Sequence, residues 1–133
     1  MKPIDLSKLK TYPLSERKSM ASLEETLIDP ASTPQNLSPA NQEHITRCAA
    51  DIRSAREAGA SVMYIYGAHL IKNGAHLLLD ELMNGGWITH LATNGAGVIH
   101  DWEWAFHGQS TECVRSNVAT GTFGTWEETG HYL

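Results

Sequence analysis

From residue 38 onward the apolar positions fall into two alternating periods. Ser38 followed by Pro39 reads as an N-cap and a first helical position. Ile45, Cys48, Ala49, Ile52 and Ala55 then recur at helical spacing, and Gly59 closes the segment. The run from Ser61 to Tyr66, bounded by Gly59 and Gly67, reads as a buried strand. Ala75, Leu78, Leu79 and Leu82 define a second amphipathic helix, stopped by Gly85 and Gly86. Ile88 to Thr93 is a second strand, and Asn94-Gly95-Ala96-Gly97 reads as a tight turn. A third helix is expected from about Val98 to His107, ended by Gly108. Ser110 or Thr111 can cap a fourth, short helix through Val114 and Val118. The order α-β-α-β-α-α implies a parallel sheet with right-handed crossovers.

The first 37 residues differ. All five prolines precede residue 40, separated by polar pieces such as Ser15-Glu16-Arg17-Lys18-Ser19. Each proline removes a backbone donor and biases its predecessor away from the helical region. Residues 1–37 therefore read as an extended N-terminal arm, with one short helix around Leu23–Leu27. Such an arm is ordered only where it lies on this domain or on a neighbouring subunit. Residues 38–133 read as the N-terminal part of an α/β domain. Two strands are few, because parallel strands need cover on both faces and neighbours on their edges. The expectation is an incomplete piece, marginal or self-associating alone, finished by partners or by further chain.

Composition narrows the field. The chain has 133 residues, 41% of them hydrophobic, and a formal charge of −5. That is enough apolar surface for a core, and it excludes a disordered acidic tail. Lys and Arg form no cluster, which argues against nucleic acid or an anionic membrane as partner. No apolar run approaches the roughly 20 residues of a membrane span. The stretch from Met1 to Tyr12 lacks the apolar core of a signal peptide. Cys48 and Cys113 make no metal or redox spacing. The expected setting is the reducing cytoplasm.

The candidate chemistry gathers after the second strand. A strand entering small residues and then a helix places backbone N–H groups and the positive helix end at one point. Gly95-x-Gly97-x-x-His100 carries the first two glycines of a dinucleotide fingerprint, with His where the third belongs. A structural βα turn is the plainer alternative. Gly67-Ala68-His69 repeats the arrangement after the first strand, so the two turns can share a crevice. On the third helix, His100, Glu103 and His107 share one face, and Val98, Ile99, Trp102, Ala105 and Phe106 the other. The apolar face is expected in the core. The polar face spans two turns, about 10 Å, too long for three ligands to converge easily on zinc. A solvated or partner-facing surface is expected, with Trp104 as an exposed interface residue. His100, in the expected first turn, would be neutral and able to accept a ribose hydroxyl hydrogen bond. Cys48 is expected in the core, Cys113 as a nucleophile lacks a nearby base, and Lys72 reads as a surface residue.

Two blocks carry a family resemblance: Tyr66-Gly67-Ala68-His69-Leu70-Ile71-Lys72-Asn73-Gly74, and the stretch from Thr89 through Thr93-Asn94-Gly95-Ala96-Gly97 to Asp101. In order and spacing they resemble the deoxyhypusine synthase family, and residues 61–130 resemble its bacterial deoxyhypusine-synthase-like branch. The resemblance implies a partial, Rossmann-like parallel sheet with flanking helices, NAD as cofactor, and homo-oligomers with sites between subunits. It also implies a polyamine or related amine substrate, whose aminobutyl group passes to a protein lysine. His69, Thr93, Asn94, Gly95, Ala96, Gly97 and His100 would bind the cofactor. The family carries two acidic residues where this chain has Ile99 and His100, and an asparagine where it has His69. The family's catalytic lysine falls beyond Leu133, so Lys72 does not inherit that role and this chain alone would be inactive. The competing readings are a non-catalytic assembly fragment and a His- or metal-dependent enzyme using the His100/Glu103/His107 face.

Overall fold

The computed structural model describes residue 3 and residues 5–34 and 37–133, the side chain of Leu6 excepted. Residues 1, 2, 4, 35 and 36 of the expected arm lie outside the described residues. The fold is mixed α/β. It divides into two compact units: Met1–Glu25 with Ile99–Leu133, and Thr26–Val98. This division cuts across the boundary expected between residues 37 and 38.

The continuous unit holds a βαβ crossover. Strand β2 (Met63–Tyr66) pairs in parallel with β3 (His90–Thr93), in the register Met63↔His90 to Tyr66↔Thr93. The connection contains α3 (Ala68–Lys72), which the sequence pattern had not separated, and α4 (His76–Asn84), as expected. Ile71, Ala75 and Leu79, four residues apart in sequence, are buried, as is Ile88 just before β3. Gly74, between α3 and α4, has φ +85° and sits against the backbone of residues 26 and 27. A Cβ there would collide with the Thr26 carbonyl, and the Gly74 carbonyl accepts from Ile28 N–H at 3.0 Å.

Helix α2 (Pro39–Glu57) begins as the sequence predicts, with the Ser38 hydroxyl accepting from Asn41 N–H at 3.2 Å. The expected apolar face is not in a core. No residue of α2 is buried, and Cys48 is exposed. The C-terminal end is pinned, because Arg56 donates to the carbonyls of Gly86 and Ala60, each at 2.7 Å.

The second unit joins the two ends of the described chain. The expected arm contains β1 (Ser19–Ser22), which pairs antiparallel with β4 (Gln109–Glu112) through Ser19↔Glu112, Ala21↔Ser110 and Ser22↔Gln109. Helix α1 (Leu23–Thr26) falls where a short helix was expected. Ser110 and Thr111 are thus strand residues rather than caps, and Cys113 holds the N-cap position of α6 (Val114–Thr120). Further upstream, Tyr12 N–H donates to the Thr125 carbonyl (2.9 Å) and Glu127 N–H to the Tyr12 carbonyl (2.8 Å). The Glu128 carboxylate accepts from Leu14 N–H at 2.6 Å, tying the arm to α7 (Glu127–Tyr132).

Helix α5 (Gly95–His107) starts earlier than expected, so Gly95, Ala96 and Gly97 form its first turn rather than a loop before it. Its faces are reversed relative to the pattern. Glu103 and Trp104 are each only 2% exposed, whereas Val98, Ile99 and Phe106 lie open to solvent. The physical reason is pairing: a carboxylate can be buried when a cation and hydroxyls meet it, and a partner distant in sequence is invisible to helical periodicity.

Candidate functional site

The two turns at the carboxyl ends of β2 and β3 are linked directly. Thr93 Oγ1 donates to the Tyr66 carbonyl at 3.0 Å, which ties the end of β3 to the end of β2. A Cβ on Gly67 would lie 3.8 Å from Asn94 Nδ2, so the first turn runs beside the Asn94 side chain. Asn94 caps α5, its Oδ1 accepting from Gly97 N–H at 3.0 Å. Gly97 is packed so closely on Thr93 that a Cβ would strike Thr93 Oγ1. Gly95 differs, because no atom lies within 4 Å of where its Cβ would be. Asn94, Gly95, Ala96 and His69 are all exposed. The βα turns thus present an open backbone surface at the N-terminal ends of two helices, a setting that favours anionic groups.

Of the seven expected cofactor residues, His69, Thr93, Asn94, Gly95, Ala96 and Gly97 lie in these paired turns. His100 does not share their setting. It is the sixth residue of α5, beyond the first turn, and its Nδ1 is 2.7 Å from Ser110 Oγ. Ser110, wholly buried, donates its hydroxyl hydrogen to Glu103 Oε2 at 2.7 Å. The hydroxyl therefore accepts from His100, which assigns the proton to Nδ1. Glu103 also receives Arg17 Nη1 at 2.5 Å and Nη2 at 3.0 Å, and Thr129 Oγ1 at 3.4 Å. Arg17 Nε donates to Ser19 Oγ at 3.1 Å, and its guanidinium stands 5.9 Å from the Trp126 ring centroid.

This chain of groups runs acid–serine–histidine. A nucleophilic triad needs the imidazole between acid and hydroxyl, so that it can take the hydroxyl proton. Here the acid holds that proton and the hydroxyl is buried, so Ser110 is not an activated nucleophile. The cluster is a structural clamp. The face expected to meet solvent or a partner is instead committed inward at Glu103 and Trp104. Among the described residues, no group of three or more His, Cys, Asp or Glu side chains is placed to hold a metal ion.

Cys113 borders a cavity of about 380 Å³ with Lys18, Ser19, Met20, Ser116 and Asn117. The Ser116 hydroxyl, 3.2 Å from Sγ, is the chief cause that holds the thiol below its ordinary value, with a smaller contribution from the Lys18 charge. The structure supplies hydrogen bonds to the thiol there, but no base among the lining residues. Neither Arg17 nor Ser110 carried a signal in the sequence, since both lie in polar stretches that read as loop.

Compared with family models, curated proteins and solved structures, the chain matches none. No helix among the described residues is long and apolar enough to cross a membrane.

Proposed function

We propose that this chain is the NAD-binding portion of a deoxyhypusine-synthase-like aminobutyl transferase, with the β2 and β3 turns as the cofactor site. The observation that carries this reading is the tie from Thr93 Oγ1 to the Tyr66 carbonyl, which joins two βα turns at the carboxyl ends of parallel strands. Ligands of open α/β sheets bind in that position. The open space over Gly95 suits a pyrophosphate approaching the main chain, and a side chain there would obstruct it. Asn94 and Thr93 hold the turn in shape, while His69 borders it from β2. Bound NAD would supply the hydride acceptor for amine oxidation. His100 is left out of the site, because its Nδ1 is engaged by Ser110. The reaction needs a lysine and acidic amine-binding groups from beyond Leu133, in a polyamine-handling protein of the cytoplasm.

Calorimetry with NAD tests this on the parent chain and on Gly95→Val. Because Gly95 has open space around it, valine fits the fold and removes only the ligand's approach. The expected result is binding by the parent and at least tenfold weaker binding by the variant. Equal affinities would remove this turn from the site, and a parent that does not bind NAD would overturn the cofactor reading.

A further inference from the structure

The unit Thr26–Val98 leaves two apolar surfaces open to solvent. One is α2, whose residues 39–51 are all exposed, including Ile45 at 50%. Ile45, Cys48 and Ile52 form a stripe along it at spacings of three and four. A helix this long is marginal in water without packing. The other is one face of the β2–β3 pair, where Met63 is 59% and Ile65 73% exposed. Their register partners His90 and Ala92 share that face. Parallel strands are ordinarily covered by helices on both faces. The helix that precedes β2 is held off this task in its own chain, because Arg56 fixes its C-terminal end at the Gly86 turn.

We propose that a second copy of this chain fills both gaps reciprocally. The Ile45/Cys48/Ile52 stripe of each copy lies across the Met63–Ile65 face of the other. Both complementary surfaces are on one chain, so a single two-fold axis matches them twice. The thirteen exposed residues span about 20 Å and a helix is about 10 Å wide, so two such contacts bury on the order of 1,000 Å², the lower end for a specific dimer. The charges agree as well. Asp51 borders the helical stripe and His90 lies beside Met63 on the sheet face, a carboxylate set against an imidazole.

Sedimentation velocity over a concentration series of the full chain tests this, with Ile45→Glu and Ile65→Glu as probes. Both side chains are exposed in the single chain, so far-UV circular dichroism is expected to stay unchanged. The parent should dimerise, and each variant should weaken association at least tenfold. An equimolar mixture of the two variants should associate more tightly than either alone, because one of the two contacts is then intact. Oxidation of Ile65→Cys should link Cys48 of one copy to position 65 of another. A parent that stays monomeric, variants that dimerise like the parent, a mixture no tighter than its components, or a bond between positions 48 and 65 of one chain would each overturn the proposal.

Discussion

Arg17 and Glu103 stand 86 positions apart in sequence and form a two-pronged ion pair, at 2.5 and 3.0 Å, with both side chains almost wholly buried. Burying either charge alone is costly, so the pair acts as a lock between the N-terminal segment and α5. Glu103→Gln or Arg17→Met alone is expected to destabilise by about 3–5 kcal/mol, since each leaves a buried charge unmatched. The double change Arg17→Met with Glu103→Leu should cost much less than the sum. Denaturant unfolding of all four proteins as a double-mutant cycle measures this. Additive losses would show that the pair is not coupled.

Gly74 combines a left-handed backbone with contact on the Thr26 carbonyl. Gly74→Ala adds backbone strain of about 1–2 kcal/mol and a steric overlap besides. Its thermal midpoint should therefore fall well below that of Gly86→Ala, where φ is also positive but no atom lies within 4 Å of the added Cβ. Equal midpoints would mean that the 26–28 segment does not pack on Gly74.

Thr111 has φ +69° within β4, a conformation in which a β-branched side chain is strained. Thr111→Gly is expected to stabilise by about 1 kcal/mol through relief of that strain. Calorimetric unfolding should show a raised midpoint. A lowered one would mean that Thr111 side-chain contacts outweigh the strain.

The hydrogen bond from Leu14 N–H holds the Glu128 carboxyl below its ordinary value of 4.5. The ionised form is favoured in the folded state. Its contribution is therefore whole above pH 4.5 and is lost as pH falls through the depressed folded value. Glu128→Gln keeps an acceptor oxygen but no charge, so its stability should fall less steeply in acid. Thermal midpoints from about pH 6 down to about pH 2 would compare the two slopes. Parallel curves would remove Glu128 from the acid response.

The sequence made legible those elements whose signals are local. Ser38-Pro39, the helix ending at Gly85, the strand ending at Thr93 and the stop at Gly108 all rest on caps, glycines and short apolar runs, and each is present. The paired turns were legible for the same reason. Strands β1 and β4 were not, because Ser19-Met20-Ala21-Ser22 and Gln109-Ser110-Thr111-Glu112 contain only two apolar residues between them. Their stability comes from each other across the chain. The orientation of α5 was misread because helical periodicity assigns charge to solvent, whereas Glu103 finds Arg17 and Ser110 through tertiary structure. Cys48 was misplaced by the converse error, in which an apolar stripe is taken as proof of a core within the same chain.

One unit is built from Met1–Glu25 and Ile99–Leu133, and the other is the continuous stretch between them. On the ribosome this imposes an order of events. The stretch Thr26–Val98 can fold as soon as it emerges, while Ser19–Ser22 waits for Gln109–Glu112. At usual elongation rates that delay is on the order of several seconds. During it the waiting strand has an unpaired edge, the kind of surface on which nascent chains aggregate. The Ser-Met-Ala-Ser composition that hid this strand from pattern reading also makes it a poor nucleus for such aggregation.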